Sequence, residues 1–158
     1  MVSSARWMGW LGISAAVVAI DQLTKHWVSS AFSFGEILPV TGFFNLVLAH
    51  NTGAAFSFLA AAGGWQRGFF IGIALLAAVI IIHLLRKHHG QTLFSLALAL
   101  ILGGALGNLI DRILLGHVVD FLDFYVQGWH WPAFNVADMA ITGGAALLVL
   151  DSLKKPAK

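Results

Sequence analysis

The chain carries seven acidic residues, and five of them, Asp21, Asp111, Asp120, Asp123 and Asp138, stand in short polar islands between long apolar runs. Asp138 closes Phe134-Asn135-Val136-Ala137-Asp138, and Asp120 lies in Gly116-His117-Val118-Val119-Asp120-Phe121. Two carboxyls brought within a few ångströms of each other cannot both ionise cheaply, so one pKa rises and the pair holds a single proton. The ionised member can then activate a water while the protonated member polarises a carbonyl and later protonates a leaving amine. Other peptide-cleaving chemistries lack their residues. There is no cysteine, no His-Glu-x-x-His and no Gly-x-Ser-x-Gly. Asp123 rivals Asp120 as a member of such a pair, and spacing alone does not separate them. A structural ion pair of Asp138 with Lys25 or Arg112 is the competing use of that acid.

The rest of the composition says where these acids must work. The 158 residues are 59% hydrophobic and 10% charged, with a mean hydropathy of +0.85. Soluble domains carry about 45–50% apolar and about 25% charged residues, so a water-facing globule and a disordered chain are both excluded. The absence of cysteine also excludes a disulfide framework and thiolate metal sites. A net charge of +2 without a basic stripe gives no case for nucleic acid. What remains is a single integral membrane domain, 1–158. Its expected fold is an all-α, four-helix transmembrane bundle with spans of about 7–27, 68–85, 93–110 and 132–150, since about 20 apolar residues cross a bilayer. Lys and Arg favour one side: Arg6, Arg86, Lys87, Lys154, Lys155 and Lys158 against Lys25, Arg67 and Arg112. Both termini are therefore expected in the cytoplasm, and loops 28–66 and 111–131 outside. All six tryptophans fall near expected span ends, as an interfacial belt would. Residues 32–50 read as two or three short strands with turns, and 54–62 as a short interfacial helix.

Within that frame the polar residues gather at one depth. Asp21 and Lys25 end the first span as an i,i+4 pair, a favourable order in a helix even if only structural. Asn108, Asp111 and Arg112 end the third. Asn135, Asp138 and Thr142 form an i, i+3, i+7 stripe near the start of the fourth. Gly103-x-x-x-Gly107 suits close helix packing. The inner half of the bundle is nearly bare of polar groups, and no repeated half is visible. Both observations speak against a transporter. A structural adaptor would tolerate loss of both acids.

Five motifs in order, Asp21-Gln22-Leu23-Thr24-Lys25, Asn51-Thr52-Gly53-Ala54-Ala55-Phe56, Gly107-Asn108-Leu109-Ile110-Asp111-Arg112, Val119-Asp120-Phe121 and Phe134-Asn135-Val136-Ala137-Asp138, resemble those of the lipoprotein signal peptidase (signal peptidase II) family. The resemblance implies an aspartic endopeptidase of the bacterial inner membrane, sensitive to globomycin. Its implied substrate is a diacylglyceryl-modified prolipoprotein, cut just before the lipidated cysteine on the periplasmic side. It implies Asp120 and Asp138 as the catalytic pair, with Asp123 a bystander. Asn51, Asn108, Arg112 and Asn135 would position substrate or hold the pair, and Asp21 and Lys25 would support the first helix. An outer β-cradle, membrane lipids as surroundings, a monomer, and no cofactor or metal complete the expectation.

Overall fold

The computed structural model describes residues 3–53 and 63–154. Four long helices are joined by a small antiparallel sheet. Helix α1 spans Ser3–Ala31, α2 Trp65–His88, α3 Thr92–Leu114 and α4 Val136–Lys154. Strands β1 (Ile37–Pro39), β2 (Phe44–Asn51), β3 (Val118–Val126) and β4 (Trp129–His130) lie side by side in that order. The expected interfacial helix, 54–62, lies outside the described residues.

Three helices among the described residues, α2, α3 and α4, are long and apolar enough to cross a membrane. Helix α1 is the longest, but Asp21, Gln22, Lys25 and His26 interrupt its apolar run. Leu76, Val79, Val149 and Leu153 stay exposed, as side chains facing lipid do. Helix α3 is the central one. Its face from Ser95 through Leu98, Leu102 and Asn108 to Asp111 is buried. At one end Leu98 and Leu102 pack with Ala78, Ile81 and Leu85 of α2. At the other, Val28, Leu48, Val119 and Phe121 join α1 to the sheet.

Small residues set the helix spacings. Ser14 Oγ donates to Ala99 O at 2.8 Å, and a Cβ added at Gly103 would come within 2.7 Å of Val17 Cβ. One at Gly107 would meet the Asp21 carboxylate, so the Gly103-x-x-x-Gly107 face lies on α1. Gly104 and Gly144 make the corresponding approach between α3 and α4, where a Cβ would strike Ala137 O in the first case and Ala97 O at 2.6 Å in the second. Neighbouring Gly143 faces open space. Gly144→Ala is expected to destabilise the fold by about 1–3 kcal/mol through overpacking. Gly143→Ala should stabilise it by up to about 1 kcal/mol through helix propensity. Melting in detergent checks the pair, and equal shifts would contradict the packing.

Several helix ends differ from expectation, α2 for instance spanning 65–88 rather than 68–85. Helices α1 and α3 run four residues past 27 and 110, carrying their polar ends above the apolar bundle. Helix α4 begins at Val136 rather than 132, because Phe134 is engaged in an isolated bridge to Leu122 and its N–H and C=O bond to the backbone of β3. Asp138 is thus in the first turn of α4, nearer the helix end than a start at 132 would put it. The region around Asp120, expected only as outer loop, is the nine-residue strand β3. Its partner β2 pairs with it in two registers separated by an irregularity between Leu46 and Ala49.

Candidate active site

Asn135 is the hinge of the site. It precedes α4 and caps it: its Oδ1 accepts the Asp138 N–H at 2.9 Å, its own N–H is donated to Asp138 Oδ2 at 3.3 Å, and its C=O accepts the Met139 N–H. This reciprocal arrangement is a capping box. The same side chain donates through Nδ2 to Asp120 Oδ1 at 2.7 Å and to Val119 O at 3.2 Å. One residue therefore touches both candidate carboxylates, one from a strand and one from a helix start.

Each carboxylate has a second donor. Asp120 Oδ2 accepts from Asn51 Nδ2 at 3.1 Å, and Asp138 Oδ1 from Asn108 Nδ2 at 2.8 Å. Asn51 is itself held through Oδ1 by the Gly53 N–H. Asp120 is 3% exposed. Burial first, and the Asp138 carboxylate second, push its pKa up to about 7, against the opposing donors Asn51 and Asn135.

Beneath the acids lies a buried charge cluster. Lys25 Nζ bonds Asp21 Oδ2 at 2.8 Å, Asp111 Oδ2 at 2.9 Å and Asn108 Oδ1 at 2.9 Å. All three ammonium protons are thus used. Asp21 Oδ1 reaches across to accept the Ala137 N–H at 2.9 Å, so an α1 carboxylate fixes the first turn of α4 and complements its dipole. Arg112 donates to Gly53 O at 2.8 Å and to Asn108 O at 3.3 Å, over the ring of Phe70. Its Nε is the one buried side-chain nitrogen or oxygen without a hydrogen-bond partner among the described residues.

All eight residues singled out from sequence meet here. Asp123 does not. Three positions from Asp120 on one strand, it points to the opposite face, where Asn45 Nδ2 (2.7 Å) and His130 Nδ1 (2.9 Å) hold it. Sequence reasoning left Gln22 and Asp111 out of the site. Gln22 Nε2 donates to Asp111 Oδ1 at 2.9 Å and to Gly107 O at 3.1 Å. Asp111 also accepts the Val119 N–H at 3.1 Å. Spacing carried a signal for both, since Gln22 is three residues from Lys25 and Asp111 three from Asn108, each pair on one helix face.

The family model described as signal peptidase (SPase) II matches residues 13–154. The chain is 62% identical over 146 residues to the lipoprotein signal peptidase of Ralstonia nicotianae, covering 92% of this chain and 84% of that one. It is 58% identical over 156 residues to the lipoprotein signal peptidase of Janthinobacterium sp., covering 99% and 94%. A solved structure described as a bacterial membrane enzyme, obtained by the in meso method, superposes with a TM-score of 0.83 at 32% identity over 95% of this chain and 93% of that one. With a family model spanning nearly the whole chain and relatives this similar, the protein belongs to the signal peptidase II family of membrane proteases.

Proposed function

We propose that this protein removes the signal peptide from diacylglyceryl-modified prolipoproteins by aspartic chemistry, with Asp120 and Asp138 as the catalytic pair. The observation that carries the reading is the pair of carboxylates on β3 and the first turn of α4, both bonded by Asn135, at one end of an apolar bundle. One carboxylate takes a proton from water as its oxygen attacks the scissile carbonyl carbon, and the protonated one donates to the carbonyl oxygen. As the tetrahedral diol collapses, the carbon–nitrogen bond breaks, the carboxyl that took the water proton gives it to the amine nitrogen, and the other carboxylate recovers its proton from a diol hydroxyl.

The surrounding residues fit supporting roles. Asn135, Asn51 and Asn108 orient the carboxylates. Arg112 holds Gly53 and keeps an unused Nε donor suited to a substrate carbonyl. Asp21 and Lys25 brace α1 against α3 and α4. In this reading α1 is a fourth span in the bacterial inner membrane, its polar half reaching the outer boundary. The Lys and Arg excess keeps both termini cytoplasmic and the acids periplasmic. A cysteine-linked lipid would rest among bilayer lipids and hold the scissile bond at that depth. One chain contains every residue named, so a monomer suffices. Globomycin would compete for the same site.

The test is cleavage in vitro of a prolipoprotein with and without its diacylglyceryl group. Processing only of the lipidated form is expected; equal cleavage of both would remove the lipid from the recognition argument. A pH profile adds a second check. Only the singly protonated pair is active, and the pair titrates as a unit. With Asp120 near 7, kcat/KM is expected to fall as pH rises through about 7. Constant activity up to pH 9 contradicts the shared proton.

A further inference from the structure

We propose that Asp111, a carboxylate with no role in the proton transfers, is a positioning residue for Asp120, acting by holding the preceding peptide group. The inference rests on the reading of Asp120 and Asp138 as the catalytic pair. Val119, second residue of β3, is the residue just before Asp120. Both backbone groups of Val119 are tied by side chains from the helices. Its N–H is donated to Asp111 Oδ2 at 3.1 Å, and its C=O accepts Asn135 Nδ2 at 3.2 Å. Asp111 is itself rigid, being 3% exposed and paired with Lys25 (2.9 Å) and Gln22 (2.9 Å). The strand end that carries one acid is thus clamped between α3, through Asp111, and the cap of the helix that carries the other.

The partners of this side chain make the test sharp. All three, Lys25 Nζ, Gln22 Nε2 and the Val119 N–H, are donors, so the carboxylate is used only as an acceptor. An asparagine at 111 must turn its NH2 toward one of them. Gln22 cannot flip to receive it without losing its bond to Gly107 O. Asp111→Asn and Asp111→Ala are therefore both expected to release Val119.

A shift of an ångström in a reacting group costs up to about 100-fold in rate. Both variants are expected to lower kcat by at least about tenfold, with KM changed less than about twofold. The alkaline limb near pH 7 should move, because the distance between Asp120 and Asp138 changes. Folded variants with wild-type kcat and an unmoved limb, beside an inactive Asp120→Asn, overturn the proposal. So does a lowered melting temperature with an unmoved limb, which marks a purely structural role. An active Asp120→Asn instead overturns the catalytic reading beneath it. Should neither variant fold, amide hydrogen exchange on the wild-type protein decides. The Val119 N–H is expected to be as protected as the ladder amides of β3, and exchange at an unprotected rate overturns the clamp.

Discussion

Asparagine in place of either Asp120 or Asp138 is expected to cut kcat by at least about 10³-fold while leaving the protein folded. The loss follows from the division of labour. With Asp138 changed, the remaining carboxyl cannot be base and acid at the same moment. With Asp120 changed, the group raised to about 7 is gone, and no proton is delivered to the carbonyl oxygen. The fold should survive because the substitution is nearly isosteric and removes a desolvated acid. Asp120 is an acid whose folded pKa lies above its unfolded value of 3.8. The native state therefore binds protons more tightly, and stability falls as pH rises from about 4 to about 7. Asp120→Asn removes that penalty, so at pH 8 its melting temperature is expected to equal or exceed that of wild type. The sharpest check is reciprocal. The Asp138 carboxylate is the second cause of the Asp120 shift, so Asp138→Asn should let the Asp120 pKa drop below 7, readable by infrared difference spectroscopy of the carboxyl stretch. Substantial cleavage by either folded variant sinks the pair.

The contrast between Asp120 and Asp123 shows where sequence reading stops. Both sit among Val and Phe, and either could be a partly desolvated acid. What separates them is the parity of β3, which gives Asp120 to Asn51 and Asn135 and Asp123 to Asn45 and His130. None of that is written in local spacing. The helices were legible because apolar runs are long and few, but the residues ending them were not. Helix α4 starts four residues late because the backbone of Phe134 pairs with β3, a tertiary event. The i,i+4 pair Asp21–Lys25 was legible as a local contact. Its third member, Asp111, comes from another helix, and nothing near Lys25 in sequence announces it. Polar residues at one depth indicated a cluster; which of them touch is fixed only when α3 slots between α1 and α4 on its glycines.

The largest effect on stability is expected at Lys25. Lys25→Met leaves Asp21 and Asp111, 0% and 3% exposed, as two buried carboxylates facing each other without a cation. Breaking a buried pair by removing one partner costs roughly 3–5 kcal/mol, and here one ammonium serves two acids. Denaturation in detergent at neutral pH should show the loss. The charges can be removed together: Asp21→Asn with Lys25→Met and Asp111→Asn leaves no uncompensated ion, and a neutral replacement of a buried cluster is often no less stable. Stability should then largely return. Activity should not: Asp111→Asn frees Val119, and Asn108 loses its anchor. Its Oδ1 is pinned by the ammonium at 2.9 Å, which forces its NH2 toward Asp138 Oδ1 at 2.8 Å. Without the cation the amide is free to turn, and Asp138 loses a donor to its ionised form. A triple variant that regains both stability and cleavage would show that the cluster only holds the helices together. One that regains stability alone would show that the buried charges also serve cleavage, through the Asn108 amide beside Asp138 and the Asp111 hold on Val119.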